Sequence, residues 1–102
     1  MNGYGLEIDY DMALQYSSEA AEYGLDFGEY LLALLYANGD GVNKNNTTAL
    51  AYAMIASRHG HSDAAELREE LKKDMDSKQI QNAENLVRKW FKQWGLDDSV
   101  FY

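Results

Sequence analysis

Cysteine is absent from the 102 residues, and so is proline. Without cysteine there is no disulfide framework and no thiolate metal site, which suits a reducing cytosol. Without proline the commonest helix breaker is missing, and glycine is left to punctuate the chain. Lysine and arginine are missing from the whole stretch before Lys44, whereas Glu7, Asp9, Asp11, Glu19, Glu22, Asp26, Glu29 and Asp40 all fall there. The net charge of −8 is therefore carried by the N-terminal half. That distribution argues against a nucleic-acid backbone as ligand and permits attraction to a basic protein, although acidity that only keeps a small protein soluble is the plainer explanation. Long hydrophobic runs are also missing, and the opening Met-Asn-Gly-Tyr-Gly-Leu-Glu-Ile has neither a basic n-region nor an apolar h-region. The expectation is a soluble, cytoplasmic chain with no membrane association.

What is present is helical periodicity divided by glycines. One domain, 1–102, is expected from the length. Residues 1–8 give no periodic signal. Asp9 is placed as the N-cap of a helix over about residues 10 to 23, on which Met12, Ala13, Tyr16, Ala20 and Tyr23 recur at helical spacing, and Gly24 stops it. Asp26 is placed as the cap of a second helix to about residue 36, with Phe27, Leu31, Leu32, Leu35 and Tyr36 forming a broad apolar stripe. The loop Tyr36-Ala-Asn-Gly-Asp-Gly-Val42 follows, where Gly39 and Gly41 can take positive φ and Val42 can fold back as an anchor. Asn45 then caps a third helix of about residues 46 to 59 that ends at Gly60, and Ser62 is assigned as cap of a fourth carrying Ala64, Leu67 and Leu71. The last helix has the clearest start. Asp76 and Gln79 are spaced as a capping box, and Met75 and Ile80 as a hydrophobic staple. Its Ile80, Ala83, Val87, Trp90 and Trp94 share one face, opposite Gln81, Asn85, Arg88 and Lys92, as a terminal cap requires.

A shift of about 36 residues superposes Ala13 on Ala49, Leu14 on Leu50, Tyr16 on Tyr52, Ala20 on Ala56 and Gly24 on Gly60, and also Leu31 on Leu67 and Leu35 on Leu71. Apolar and glycine positions at helical spacing are those a stack of helix hairpins must preserve. On Gly24-x-Asp26, Leu32-Ala-x-x-Tyr36, Asn38-Gly-Asp-Gly-Val42, Ala49-Leu-x-Tyr52 and Ala56-x-x-x-Gly60, the chain resembles the Sel-one-like repeat family of tetratricopeptide-like α-hairpins. The stretch from Ala64 through Ala83 to Trp90 looks like the closing hairpin of short bacterial members. The resemblance implies an all-α fold, a short right-handed α-α solenoid of about five helices, with one complete repeat at about 25–60, a closing hairpin at about 61–94 and a C-terminal capping helix. Gly28 and Ala33 exchange the two small residues of the family's first helix, which should alter a close helix crossing. The family carries no shared active site.

The candidate chemistry is sparse. His59 and His61 flank Gly60 at a helix end and cannot share a helical face as ligands at i,i+4 would, so His59 is assigned to the helix C-terminal carbonyls and His61 to a turn. The 38–45 loop lacks the ligand pattern of a calcium loop, and Gly39-x-Gly41 lacks the rest of a dinucleotide fingerprint. No catalytic, cofactor or metal residues are assigned, and no enzyme is expected. Tyr16, Tyr36 and Tyr52 are assigned to the core. In tetratricopeptide-like stacks the leading helix of a repeat lines the concave face, so the resemblance makes Glu29, Tyr30, Ala33 and Leu34 candidate partner contacts. Glu22, Tyr23, Asp26, Glu66 and Glu70 complete that set as acidic or aromatic neighbours.

The expected function is a noncatalytic protein-binding module. A sharper form is an immunity protein that neutralises a basic toxin domain through electrostatically steered binding. Two other expectations compete: a small-ligand protein or enzyme with a pocket between hairpins, using His59, His61 and nearby acids, and a self-associating scaffold with an open N-terminal end.

Overall fold

The computed structural model describes residues 9–93, which form five helices and no strand. They are α1 (Tyr10–Glu22), α2 (Asp26–Asn38), α3 (Asn46–Arg58), α4 (Ser62–Lys73) and α5 (Ser77–Gln93). The helix at each expected position is present. Trp94, residues 1–8 and the 95–102 tail lie outside the described residues.

Local chemistry sets the helix ends. Asp9 Oδ1 accepts from the Met12 N–H at 3.1 Å, and Asn45 Oδ1 accepts from the Thr48 N–H at 3.0 Å, each satisfying an otherwise orphaned donor. Asp76 and Gln79 form the reciprocal capping box, with the Asp76 N–H donating to Gln79 Oε1 at 3.0 Å and the Gln79 N–H to Asp76 Oδ1 at 2.8 Å. Two caps are corrected. The N-cap of α2 is Leu25, with no side-chain bond, and Asp26 is the first helical residue, where its charge suits the helix N-terminus. The N-cap of α4 is His61 rather than Ser62, because the imidazole Nδ1 accepts from the Ala64 N–H at 3.2 Å.

The glycine positions behave alike at α1 and α3. Gly24 has φ of +73° and Gly60 +97°, and each sits one residue past the helix cap. The Leu25 N–H returns to Ala20 O at 3.0 Å and the Gly24 N–H to Ala21 O at 2.9 Å; His61 returns to Ala56 O and Gly60 to Ser57 O, both at 3.0 Å. Both ends are Schellman motifs at equivalent positions of the 36-residue spacing.

Helix α3 is the hub, packing against α2, α4 and α5, while α1 packs on α2. Its Ala49, Leu50, Ala51, Ala53, Ile55 and Ala56 are fully buried. Many small side chains on one helix let several neighbours approach it closely. Leu50, Met54 and Ile55 join Met75, Val87 and Phe91 in the main core, against which Leu71, Ile80, Leu86 and Trp90 pack. At the α1–α2 crossing, a Cβ on Gly28 would come within 2.5 Å of the Ala20 Cβ and 2.8 Å of the Ser17 carbonyl oxygen, so the crossing requires glycine.

The expected core is wrong at its N-terminal edge. Tyr16 is 59% exposed, and Met12 and Phe27 are exposed as well, although all three lie on the periodic apolar faces. Among the described residues no helix buries that side of α1. The Tyr16 and Phe27 rings meet each other edge to face at 6.5 Å instead.

Candidate functional site

A cleft of about 670 Å³ opens between α1 and α5, with α2 and α3 as its floor. Ser18, Ala21 and Glu22 come from α1, Tyr23 and Gly24 from its C-terminal turn, Glu29 and Leu32 from α2, Tyr52 and His59 from α3, and Trp90 and Gln93 from α5. The volume lies within the range of small-ligand and peptide side-chain sites.

At its floor is a charge where the apolar stripe of α2 should be. Glu29 is 1% exposed, and its Oε1 lies 2.7 Å from His59 Nδ1. The His59 imidazole therefore turns to the Glu29 carboxylate, not to the helix-end carbonyls assigned to it. Burial pushes the Glu29 carboxyl above its ordinary range, the imidazole partly offsets that through charge and hydrogen bond, and nearby Asp26 adds to the rise. A carboxylate holding Nδ1 leaves Nε2 as the imidazole's second site for a proton or hydrogen bond.

The aromatic wall stands beside this pair. Tyr52 stacks on Tyr36 at 6.0 Å between ring centres and lies 4.6 Å from Trp90, tilted by 33°. Burial, followed by the Tyr36 and Glu29 charges, pushes the Tyr52 phenol up to about 12. Tyr52 was expected only as core; it is half-buried and faces the cleft. The other histidine has a structural task. His61 caps α4 and its ring stacks on Tyr30 at 4.4 Å.

Of the sequence-derived contact set, Glu22, Tyr23 and Glu29 converge on the cleft. Tyr30 is taken up by the His61 ring, and Leu34 and Asp26 are half-buried outside the lining. Ala33 is fully buried and offers no surface. Glu66 and Glu70 stand exposed on α4, where Glu70 pairs with Lys73 at 3.1 Å. Sequence reasoning missed Trp90 and Tyr52 as walls and the Glu29–His59 bond. The available signal was Glu29 itself, a lone charge between Phe27 and Leu32 on a buried stripe, with the chain's two histidines at the far end of the next helix but outside local reach.

A second hollow of about 400 Å³, on the other side of α3, is lined by Arg58, Arg68 and Lys72 with Glu69 and Glu84. Within it Arg68 donates to Glu69 at 2.8 Å and to Ser57 Oγ at 2.9 Å, and Lys72 Nζ stands 3.9 Å from the same Glu69 carboxylate. Among the described residues no group of three His, Asp or Glu side chains is placed to hold a metal ion, and no helix is long and apolar enough to cross a membrane. No family model, no curated protein and no solved structure matches this chain.

Proposed function

We propose that this chain is a noncatalytic protein-binding module and that the cleft between α1 and α5 receives its partner. The observation that carries the reading is the pairing of an acidic, aromatic-walled cleft with an exposed apolar rim. Tyr23, 83% exposed, belongs to both, and Leu25, also exposed, follows it two residues on, outside the lining. Apolar rim area supplies affinity and the acidic interior selects the sign of the partner's charge. The surplus of −8, concentrated before Lys44, would steer a basic partner toward this end of the molecule. In its sharper form the module is a cytoplasmic immunity protein of the Sel-one-like type, with a basic toxin domain as its partner.

The test is affinity capture from the source cells with the full chain and with a Tyr23→Ala/Glu22→Lys double variant. One stoichiometric basic partner, held by the wild type, released by about 0.5 M salt and lost with the variant, is expected. A partner held equally by both proteins, or none at low salt, would overturn the reading.

A second reading is favoured by the Glu29–His59 bond, since a buried carboxylate orienting an imidazole is also how a general base is held. It predicts turnover of a small substrate that His59→Gln abolishes while partner capture persists. Saturable capture with no such turnover excludes it.

A further inference from the structure

We infer that the open face of α1 is a seat for a basic amphipathic helix of the protein partner, lying on α1 as α2 lies on α3. The inference rests on the binding reading above and adds a second surface to it, joined to the cleft at Tyr23. The 36-residue spacing shows what covers this face elsewhere in the molecule: Met12, Tyr16 and Tyr23 correspond to Thr48, Tyr52 and His59 on α3. There Tyr52 stacks on Tyr36 and His59 Nδ1 meets Glu29, and both of those residues belong to α2. On α1 the same three positions stand exposed. Helix α2 meets α1 on another side, where Gly28 approaches Ser17, Ala20 and Ala21. Its Phe27 touches the Tyr16 ring edge to face, yet both rings stay more than half exposed.

Charge and length select the occupant. Glu19 stands on the same stripe as Met12, Tyr16 and Tyr23, with Asp11 and Glu22 along its edge, all three acids exposed. No lysine or arginine precedes Lys44 to balance them. A second copy placed face to face would set acid against acid. Placed head to tail, it would cover the stripe with a polar surface, because the exposed large hydrophobics of the described residues all lie at this end, from Met12 to Phe27. Residues 1–8 and 94–102 are each shorter than the thirteen-residue α2. A partner helix answers both requirements when it carries an apolar stripe at i, i+3, i+4 and i+7, with lysine or arginine along its edges. That stripe has the length of the stretch from Glu29 to Tyr36 with which α2 meets α3.

The probe is a blocked, alanine-based helical peptide of about 16 residues, with leucine at i, i+3 and i+4, tyrosine at i+7 and lysine on its flanks. A second peptide carries glutamate in place of lysine. Binding to the full chain is read from the Met12 methyl NMR signal, assigned with Met12→Leu, with the buried Met54 methyl as reference. The lysine peptide is expected to shift Met12 saturably, and the glutamate peptide not to. Tyr16→Ser should weaken binding about tenfold and Glu19→Gln about threefold, and since both positions are exposed the fold is kept. No saturable shift below about 1 mM, equal binding of the two peptides, or a response confined to the Trp90 indole overturns the seat. A concentration-dependent dimer of the free chain that Tyr16→Ser abolishes gives the face to a second copy and overturns it too. So does a Met12 signal that moves in Phe101→Ser before any peptide is added, which gives the face to the chain's own tail. Any of these alongside partner capture that the Tyr23→Ala/Glu22→Lys variant loses leaves the binding reading standing, so the two are separable.

Discussion

Glu29 is held in conflict. The residue is 1% exposed, and the folded value of its carboxyl lies above the ordinary 4.5 because burial outweighs the attraction of His59. A carboxyl raised on folding contributes its full stability below its unfolded value and loses it as pH climbs through the folded one. Glu29→Gln keeps the neutral shape at every pH. Its stability relative to wild type is therefore expected to improve between pH 4 and pH 7, read as urea midpoints. A variant that instead loses ground over that range would mean the ionised pair is worth more than its desolvation. Tyr52 makes the parallel case at alkaline pH. Its phenol, raised from 10.0 to about 12, contributes stability that is present below 10 and lost as pH rises toward 12. Tyr52→Phe should remove the last step of the tyrosine absorbance titration and move alkaline unfolding to higher pH.

At the scale of elements, helix ends and crossings are governed by different kinds of information. Asp9, Asn45 and the Asp76–Gln79 box act within one turn, and all three were legible from residue type and spacing. Asn45→Ala should cost about 1 kcal/mol by denaturant melting. The caps Leu25 and His61, where the sequence pattern points to Asp26 and Ser62, follow Gly24 and Gly60 by one residue. The Schellman bond uses that residue's N–H, so it ends one helix and starts the next, leaving no place for a separate cap. The α1–α2 crossing depends on contact between elements. Gly28→Ala improves intrinsic helix propensity by about 1 kcal/mol, yet its methyl would meet the Ala20 side chain and the α1 backbone. A net loss of about 1–3 kcal/mol is expected, and a stabilised variant would show that the two helices can move apart freely.

For the whole molecule, the asymmetry of charge and the asymmetry of packing coincide. The face of α1 bearing Met12 and Tyr16 lacks cover among the described residues, whereas Leu50, the counterpart of Leu14, is enclosed by α3's neighbours. Tyr16 and Tyr52 occupy equivalent positions in sequence and different environments in space for the same reason. A partner that covers the open end should protect it: Tyr23→Ala is expected to weaken partner affinity about tenfold while leaving the melting temperature of the free protein unchanged. Leu50→Ala, by contrast, should destabilise the free chain by about 2–5 kcal/mol.

The sequence by itself determined the helices, their glycine stops, most of their caps and the one-sided charge. Each of these is settled by residues within a few positions of one another, through backbone sterics, local hydrogen bonds and periodicity. Only the tertiary structure decided that Tyr16 faces outward, that Tyr52 and Trp90 share a wall, and that Glu29 meets His59 thirty residues away. Those outcomes depend on the angle and distance at which α2, α3 and α5 cross. Periodicity names the faces that pack, but the depth and neighbours of each side chain follow from which helices are there to receive it.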